Sequence, residues 1–184
     1  MLGKIIILNG VSCVGKTTLA KTIQTLADDL IYRISIDDYF RMIPANKIYS
    51  DNGDNIRNAI SFMHNSICFL AENKFNVIVD MIYLQKDGDE SIIDECRRLF
   101  KDYDVVMVKL SCMSQELKSR ASQRLDRDFN YIQRQIAMQF PDSAYDIVLD
   151  TYKYCPEECA MNVLNFISSG AECTAIKKFK IGNY

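Results

Sequence analysis

The sequence predicts an α/β protein in which helices cover both faces of a five-stranded parallel sheet. Five apolar runs of strand length alternate along the chain with stretches whose apolar residues recur at helical spacing. Continuously apolar strands are typical of parallel sheets, because helices bury both faces of such a sheet. The length of 184 residues suits one domain with a substantial core. We therefore expect a single domain over residues 1–184.

The composition argues against several other classes of protein. The formal net charge is −2, so no basic footprint indicates a nucleic-acid partner. No apolar run approaches the length that spans a membrane, and the first strand is expected too near the N terminus for a signal peptide. Seven scattered cysteines contain no C-x-x-C pair, so most are expected to be small buried residues. We expect a cytoplasmic protein without nucleic-acid or membrane partners.

The first predicted strand leads directly into a glycine-rich loop. This strand is the apolar run of Ile5, Ile6, Ile7 and Leu8. The pattern G-x-x-x-x-G-K-[ST] is matched at every fixed position by Gly10, Val11, Ser12, Cys13, Val14, Gly15, Lys16 and Thr17. A helix is predicted to follow at once, with one apolar face formed by Leu19, Ile23, Leu26 and Leu30. This context of strand, loop and helix predicts a purine triphosphate site.

The residue types of this loop suit phosphate chemistry. Gly10 and Gly15 permit a close backbone approach and torsion angles that a Cβ would block. The backbone N–H groups of the loop and of the helix start, up to Thr18, are expected to point at the phosphates. Lys16 can reach the β- and γ-phosphates, and the Thr17 hydroxyl can ligate Mg²⁺. Cys13 lies within the loop, where its thiol is a candidate for oxidation.

Acidic residues follow the second and third predicted strands. The second strand, residues 32–36, ends at Asp37, and the third, residues 75–80, ends in Asp80. Ligands of open α/β sheets bind beyond the carboxyl ends of the strands, so both carboxylates are expected near the loop. An apolar strand that closes with an acid has the form of a Walker B strand, whose Asp holds Mg²⁺ directly or through water. Asp80 therefore joins Thr17 as a predicted metal ligand.

The middle of the chain is expected to contain two helices and a fourth strand. A turn-rich loop over residues 44–53 precedes a long amphipathic helix whose apolar stripe runs from residue 56 to residue 70. His64 lies beside this stripe and is expected at the helix surface or boundary, without a catalytic role. A short helix near residues 90–101 precedes a strand over residues 105–110.

An arginine-rich segment follows a helix whose N-cap is predicted to be Ser114. The spacings of four and three between Arg120, Arg124 and Arg127 can place these side chains on one helix face or at its end. A solvated basic face is the simpler alternative. In an enzyme that handles ATP, however, such arginines are typical of a mobile lid that neutralises charge on the transferring phosphoryl group. We expect this lid at about residues 118–135.

The last third of the chain is predicted to complete the sheet and its outer helices. An amphipathic helix is expected to bury Phe129, Ile132, Ile136 and Phe140. A fifth strand over residues 145–151 precedes a helix that begins at Pro156. Residues 170–184 carry little signal and form either a frayed tail or an added edge element. Their basic run at residues 177–180 is expected to be solvated.

With these motifs, residues 4–168 resemble the chloramphenicol phosphotransferase-like family of P-loop kinases. The likeness rests on the phosphate loop, on Ile36-Asp37 with Met42-Ile43-Pro44, on the strand that ends in Asp80, and on a later pattern. This pattern consists of Arg120, Arg124, Asp126, Arg127, Gln135, Tyr145-Asp146 and Asp150-Thr151. The resemblance implies a P-loop kinase fold and transfer of the γ-phosphoryl group of Mg-ATP to a hydroxyl of a small molecule.

The same resemblance implies roles for individual residues. Asp37 occupies the position of the proposed general base, which fits a carboxylate at a strand end that accepts a hydroxyl proton. Arg124 and Arg127 occupy the positions of the lid arginines that contact phosphate. Two residues depart from the pattern, since Met81 replaces an acid and Phe140 replaces a histidine. Both departures bear on acceptor binding, so chloramphenicol is not the expected acceptor.

Two other functions stay open at this stage. A nucleotide or nucleoside kinase on the same scaffold also combines a phosphate loop with an arginine lid. An ATP-binding protein with weak or no transferase activity would carry the same loop. A guanine-specific switch is disfavoured, because residues 46–49 and 73–76 begin as Asn-Lys but lack the final Asp of Asn-Lys-x-Asp. The oligomeric state is not predicted.

Overall fold

Five strands form a single parallel sheet in the part of the chain that the structure describes. The computed structural model describes residues 2–85, 90–124 and 128–180. The strands are β1 (Ile5–Asn9), β2 (Ile31–Ser35), β3 (Asn76–Asp80), β4 (Val105–Ser111) and β5 (Ile147–Asp150). All pairs are parallel, and the order across the sheet is β2-β3-β1-β4-β5. The predicted five-stranded parallel sheet is confirmed, with the phosphate-binding motif after its central strand.

Helices connect these strands and cover the sheet. They are α1 (Lys16–Leu26), α2 (Ile36–Phe40), α3 (Asp54–Glu72), α4 (Glu90–Phe100), α5 (Ser114–Ser122), α6 (Phe129–Ala137), α7 (Pro156–Ser168) and α8 (Ala175–Lys178). None of the helices within the described ranges is long and apolar enough to cross a membrane.

Two hydrophobic clusters lie on opposite faces of the sheet. Along β1, Ile5 and Ile7 belong to one cluster, whereas Ile6 and Leu8 belong to the other, because successive side chains of a strand point to opposite faces. Helices α3, α4 and α8 supply residues to the first cluster, and α1, α5, α6 and α7 supply residues to the second. The three-layer α/β/α arrangement explains why the strands are continuously apolar.

The strand register brings the functional segments to one edge of the sheet. Leu8 of β1 is aligned with Asp80 of β3, and Asp80 is aligned with Ser35 of β2. Three chain segments therefore leave the sheet side by side: the phosphate-binding loop, the segment after Asp80 and the segment that carries Asp37. This edge is where parallel sheets bind ligands.

Several element boundaries differ from the sequence prediction. Helix α1 ends at Leu26, so Leu30 lies outside it and is 68% exposed rather than on its buried face. Ser114 is the first residue of α5, and Met113 is its N-cap. Helix α6 ends at Ala137, and Phe140 is buried in the cluster on the opposite face of the sheet. The apolar spacing could not reveal where α1 and α6 end, because in both cases it continues beyond the last helical residue.

The C-terminal segment is packed against the domain, and its expected solvation is wrong for Phe179. Helix α8 buries Ala175 and Ile176, and Phe179 is fully buried against the same cluster. The carboxylate of Asp146 accepts hydrogen bonds from the backbone N–H groups of Thr174 (3.0 Å) and Ala175 (3.1 Å). Its other oxygen accepts from the N–H of Met107 in β4, so Asp146 joins this segment to the sheet.

His64 is also placed differently from its prediction. The side chain is fully buried on α3 rather than lying at the helix surface. Its Nε2 lies 2.8 Å from the Tyr83 hydroxyl, and its ring contacts Phe100 of α4 edge-to-face at 5.4 Å. Burial lowers the pKa of His64 from 6.5 to about 4, although the carboxylate of Glu95 opposes this shift. His64 is therefore a neutral core residue at neutral pH.

Candidate active site

The phosphate-binding loop, residues 10–17, is held by its own lysine. The Lys16 ammonium donates hydrogen bonds to the carbonyl oxygens of Gly10 (2.8 Å) and Val11 (3.1 Å). Gly15 has a φ of 105°, and a Cβ at Gly10 would lie only 2.8 Å from the Leu110 carbonyl oxygen. Both fixed glycines of the motif are therefore required by the backbone, as the sequence predicts.

The Thr17 hydroxyl, at the start of α1, lies next to the Asp80 carboxylate, at the end of β3. Thr17 Oγ1 donates a 2.6 Å hydrogen bond to Asp80 Oδ2, and Asp80 is 5% exposed. Among the described residues, no group of three or more His, Cys, Asp or Glu side chains could hold a metal ion. Mg²⁺ fits this pair nevertheless, because it keeps several waters and is commonly bound by one or two protein oxygens together with substrate phosphates.

Asp37 lies in the first turn of α2, immediately after β2. Its carboxylate is exposed. No described residue donates a hydrogen bond to this carboxylate or forms an ion pair with it. The adjacent Asp38 differs, since it pairs with Arg41 at 2.6 Å and lies 3.8 Å from Arg33. Arg33 also lies 3.8 Å from Asp80, which gives this acidic edge a cation that the sequence analysis did not single out.

A cleft of about 1040 Å³ brings most of the predicted site residues together. Its lining includes Lys16, Thr17, Asp37, Asp80, Arg120 and Arg124, together with Ser12, Cys13, Gly15 and Thr18 of the loop and α1. Gly10, Val11 and Val14 are buried in the loop beneath this surface and contribute backbone groups only. Arg127 and Asp126 lie outside the described residues.

The two described arginines of the predicted lid differ in their surroundings. Arg120 on α5 donates to the carbonyl oxygen of Thr151 (2.9 Å), to its hydroxyl (3.2 Å) and to Glu116 (2.8 Å). The Thr151 hydroxyl in turn donates to the carbonyl oxygen of Val14 in the loop (2.8 Å). Arg124 is exposed, and no described residue pairs with its guanidinium. Arg120 is thus bonded to a residue that contacts the loop, whereas the Arg124 guanidinium has no such bond within the described residues.

Gln135 of α6 contacts the loop from the side of the predicted lid. Its Oε1 accepts a 2.9 Å hydrogen bond from the backbone N–H of Ser12, and the side chain is 2% exposed. The resemblance pattern contained this residue, but no local signal in the sequence predicted the contact with Ser12.

Asn9 is a second site residue that sequence reasoning missed. Its Oδ1 accepts from the N–H groups of Gly10 (3.0 Å) and Tyr83 (2.8 Å). Its Nδ2 donates to the carbonyl oxygen of Tyr83 (3.1 Å) and to the Tyr145 hydroxyl (2.6 Å). All four hydrogen-bonding positions of the amide are used, so Asn9 fixes the segment after Asp80 against the loop. A single asparagine at a strand end gives no sequence signal for this role.

Three cysteines line the cleft, namely Cys13, Cys155 and Cys159. Burial raises the pKa of the Cys159 thiol to about 11, so this thiol stays protonated at neutral pH. Cys13 has a positive φ of 65°, which places it in the sharp part of the loop. Of the seven cysteines, Cys96 and Cys159 are buried and Cys155 is exposed, so fewer are buried than expected.

Comparison with known proteins decides the family. The family model described as chloramphenicol phosphotransferase-like protein matches residues 3–168, which is most of the chain. This chain belongs to the chloramphenicol phosphotransferase-like family. No curated protein matches the sequence of this family member.

Solved structures with a similar fold include several kinases, and an RNA repair complex also matches over 74% of this chain and 43% of that chain. The Mycobacterium tuberculosis APS kinase in complex with AMPPNP and APS has a TM-score of 0.68 at 17% identity, over 91% of this chain and 98% of that chain. A sugar kinase from Janibacter has a TM-score of 0.65 at 18% identity, with coverages of 92% and 96%. Shikimate kinase from Acinetobacter baumannii with shikimate has a TM-score of 0.64 at 14% identity, with coverages of 92% and 94%. These TM-scores show a shared P-loop kinase fold for this member of the chloramphenicol phosphotransferase-like family.

Proposed function

We propose that this P-loop phosphotransferase moves the γ-phosphoryl group of Mg-ATP to a hydroxyl of a small molecule, with Asp37 as the general base. One observation carries the proposal. A single cleft contains the Lys16 ammonium, the Thr17–Asp80 pair and an exposed Asp37 carboxylate that no described residue neutralises. Phosphoryl transfer needs these three elements, which bind the donor, hold a metal and take a proton from the acceptor.

The donor side of the proposal rests on the loop. The Lys16 ammonium and the N–H groups of the loop and of the start of α1 bind the triphosphate, except those of Gly10 and Ser12, which already donate to Asn9 and Gln135. Arg120 stabilises the loop through Thr151. Thr17 and Asp80 would hold Mg²⁺. When bound there, the ion neutralises charge on the β- and γ-phosphate oxygens.

On the acceptor side, Asp37 accepts the hydroxyl proton while the acceptor oxygen forms its bond to the γ-phosphorus. The bond from that phosphorus to the bridging oxygen breaks, and ADP leaves. Arg124 and Arg127 neutralise the negative charge on the transferred group. Phe40, Met81 and Ile82 line the same cleft as Asp37 and would contact an apolar part of the acceptor. The APS, sugar and shikimate kinases with this fold support a small-molecule acceptor.

The proposal is tested by ADP release from Mg-ATP in the presence of a panel of hydroxylated compounds. The panel contains sugars, nucleosides, nucleoside monophosphates and chloramphenicol. Stimulation by one class of hydroxyl compound supports the proposal and names the acceptor class. Stimulation by nucleoside monophosphates only would assign a nucleotide kinase instead. Binding of AMPPNP without stimulation by any compound would favour an ATP-binding protein with little transferase activity.

The role of Asp37 as the base is tested by comparing its substitution with the same substitution at Asp38. Asp37→Asn removes the base, so turnover is expected to fall about 100-fold or more while AMPPNP affinity stays unchanged. Asp38→Asn is the matched control, because Asp38 is already paired with Arg41 and does not line the cleft. Its turnover should stay within a few-fold of that of the wild type. Equal turnover of Asp37→Asn and the wild type would remove Asp37 from the mechanism.

A further inference from the structure

The peptide group between Val11 and Ser12 is held from both sides. Its carbonyl oxygen accepts from the Lys16 ammonium at 3.1 Å, and its N–H donates to Gln135 Oε1 at 2.9 Å. Because a trans peptide points its C=O and N–H in opposite directions, Lys16 and Gln135 lie on opposite sides of this group. The loop is therefore fixed by one residue of its own and one residue of α6.

The bond to Ser12 also determines the direction of the rest of the Gln135 amide. A backbone N–H can only donate, so the oxygen of the amide faces Ser12 and its NH₂ group faces away. Gln135 lines the cleft, and its Nε2 has no acceptor among the described residues. Among the described residues, only Asp51 Oδ1 and His64 Nδ1 are enclosed side-chain atoms without a hydrogen-bond partner, so Nε2 of Gln135 is accessible to solvent. It is thus a donor at the cleft surface on a side chain that is 98% buried.

A donor at the surface of a cleft bonds to water until a ligand supplies the acceptor, and the burial of the rest of the side chain fixes the direction in which this donor points. The cleft beside Gln135 contains Lys16, Arg120 and Arg124, which are cations that suit a phosphate. A neutral NH₂ donor adds a directed hydrogen bond to this charge, and hydrogen bonds to an ionised oxygen are the stronger ones. The Val11–Ser12 peptide group joins Gln135 to the Lys16 ammonium, and the lysine of this motif reaches the β- and γ-phosphates. This link favours an oxygen of the phosphoryl group at the far end of the triphosphate.

We propose that the Gln135 NH₂ group binds an oxygen of the ATP γ-phosphoryl group, while its Oε1 holds the Ser12 N–H. This inference rests on the proposed function and identifies a donor that recognises the triphosphate rather than the diphosphate. Gln135 also forms the link through which α6 contacts the loop, so the lid side of the cleft takes part in recognising the phosphate that is transferred.

This inference is tested by measuring nucleotide binding in the absence of turnover, because such a measurement needs no acceptor. The affinities of AMPPNP and ADP are measured by calorimetry for the wild type and for Gln135→Glu, which keeps an oxygen for Ser12 but loses the NH₂ donor. AMPPNP affinity is expected to fall at least tenfold more than ADP affinity, equivalent to about 1.4 kcal/mol. Equal losses for the two nucleotides, or no loss, would overturn the assignment.

Two further variants distinguish loss of the NH₂ donor from the effect of an added charge and from a failure to fold. Gln123→Glu adds the same charge in the same cleft at an exposed position, so a similar selective loss there would overturn the inference. Gln135→Met keeps the length of the side chain without a charge and decides the question if Gln135→Glu fails to fold. It should show the same preference for ADP, and unchanged selectivity in Gln135→Met would also overturn the inference. A wild type that binds neither nucleotide would instead contradict the proposed function itself.

Discussion

The Thr17 hydroxyl donates a 2.6 Å hydrogen bond to the Asp80 carboxylate and thereby joins the start of α1 to the end of β3. This bond connects residues 63 positions apart, and the register that aligns Leu8 with Asp80 makes it possible. Two oxygens of the kind that Mg²⁺ prefers are therefore held together before any ligand binds. Such preorganisation limits the reordering that a metal and a triphosphate must impose.

We expect Asp80→Asn to abolish most of the Mg²⁺ dependence of nucleotide binding. The amide is neutral and a weaker ligand for a hard cation, so the tightening of AMPPNP binding by Mg²⁺ should fall about tenfold or more. Calorimetry with Mg²⁺ and with EDTA measures this difference. Thr17→Ser keeps the hydroxyl and is the control that should retain the wild-type dependence. An unchanged response of Asp80→Asn to Mg²⁺ would place the ion elsewhere.

Alanine substitutions of Arg120 and Arg124 are expected to affect different properties, namely stability for Arg120 and turnover for Arg124. Arg120→Ala removes hydrogen bonds to Thr151 and Glu116, so the free energy of unfolding should fall by about 1–2 kcal/mol. Arg124→Ala removes an exposed side chain and should change it by less than about 0.5 kcal/mol. Turnover should fall strongly for Arg124→Ala if this arginine neutralises the transferred group. Urea unfolding and ADP release measure the two quantities, and similar unfolding curves for the two variants would contradict this division.

The sequence was sufficient for the parts of the site that are local in the chain. The loop, α1 and the acid at the end of β3 are each recognisable from a short sequence pattern, because the geometry of each depends on residues that are close in the chain. The parallel sheet could likewise be predicted from apolar runs. The roles proposed for Asp37 and the arginines remain predictions, whereas the cleft that contains Asp37, Arg120 and Arg124 is a property of the fold.

The parts that sequence reasoning missed depend on contacts between distant segments. Asn9 gains its partners from Tyr83 and Tyr145, which are 74 and 136 positions away, and Gln135 contacts Ser12 across 123 positions. His64 is buried because Tyr83 and α4 cover a part of α3 outside its apolar stripe. A pattern within one element contains no information about which distant segment will contact it, so these contacts could not be predicted from the sequence.

Phe179 tests how much the C-terminal segment contributes to stability. Its ring lies 4.4 Å from that of Phe140 and 5.6 Å from that of Tyr83, between centroids, and it is fully buried. Phe179→Ala should therefore lower the free energy of unfolding by about 3–5 kcal/mol. Lys177→Ala alters an exposed residue of the same segment and should cost less than about 0.5 kcal/mol. Urea unfolding that gave both variants the stability of the wild type would contradict the packing of this segment.

His64 should make the stability of the protein depend on pH between about 6.5 and 4. Burial lowers the pKa of the folded state to about 4, so in this window the unfolded chain binds a proton that the folded protein does not. The contribution of this group is therefore fully present well above pH 6.5 and is lost as the pH decreases towards 4, by roughly 3 kcal/mol in all.

Urea unfolding at several pH values measures the loss, and His64→Gln supplies the comparison without a titrating ring. The groups that face His64 are the Tyr83 hydroxyl at Nε2 and the Glu95 carboxylate, whose oxygen lies 3.7 Å from Nδ1. Because Glu95 raises the pKa of His64, Glu95→Gln should lower it further and extend the loss of stability to lower pH. If the wild type and His64→Gln lost stability equally between pH 6.5 and 4, the buried histidine would not be the group responsible.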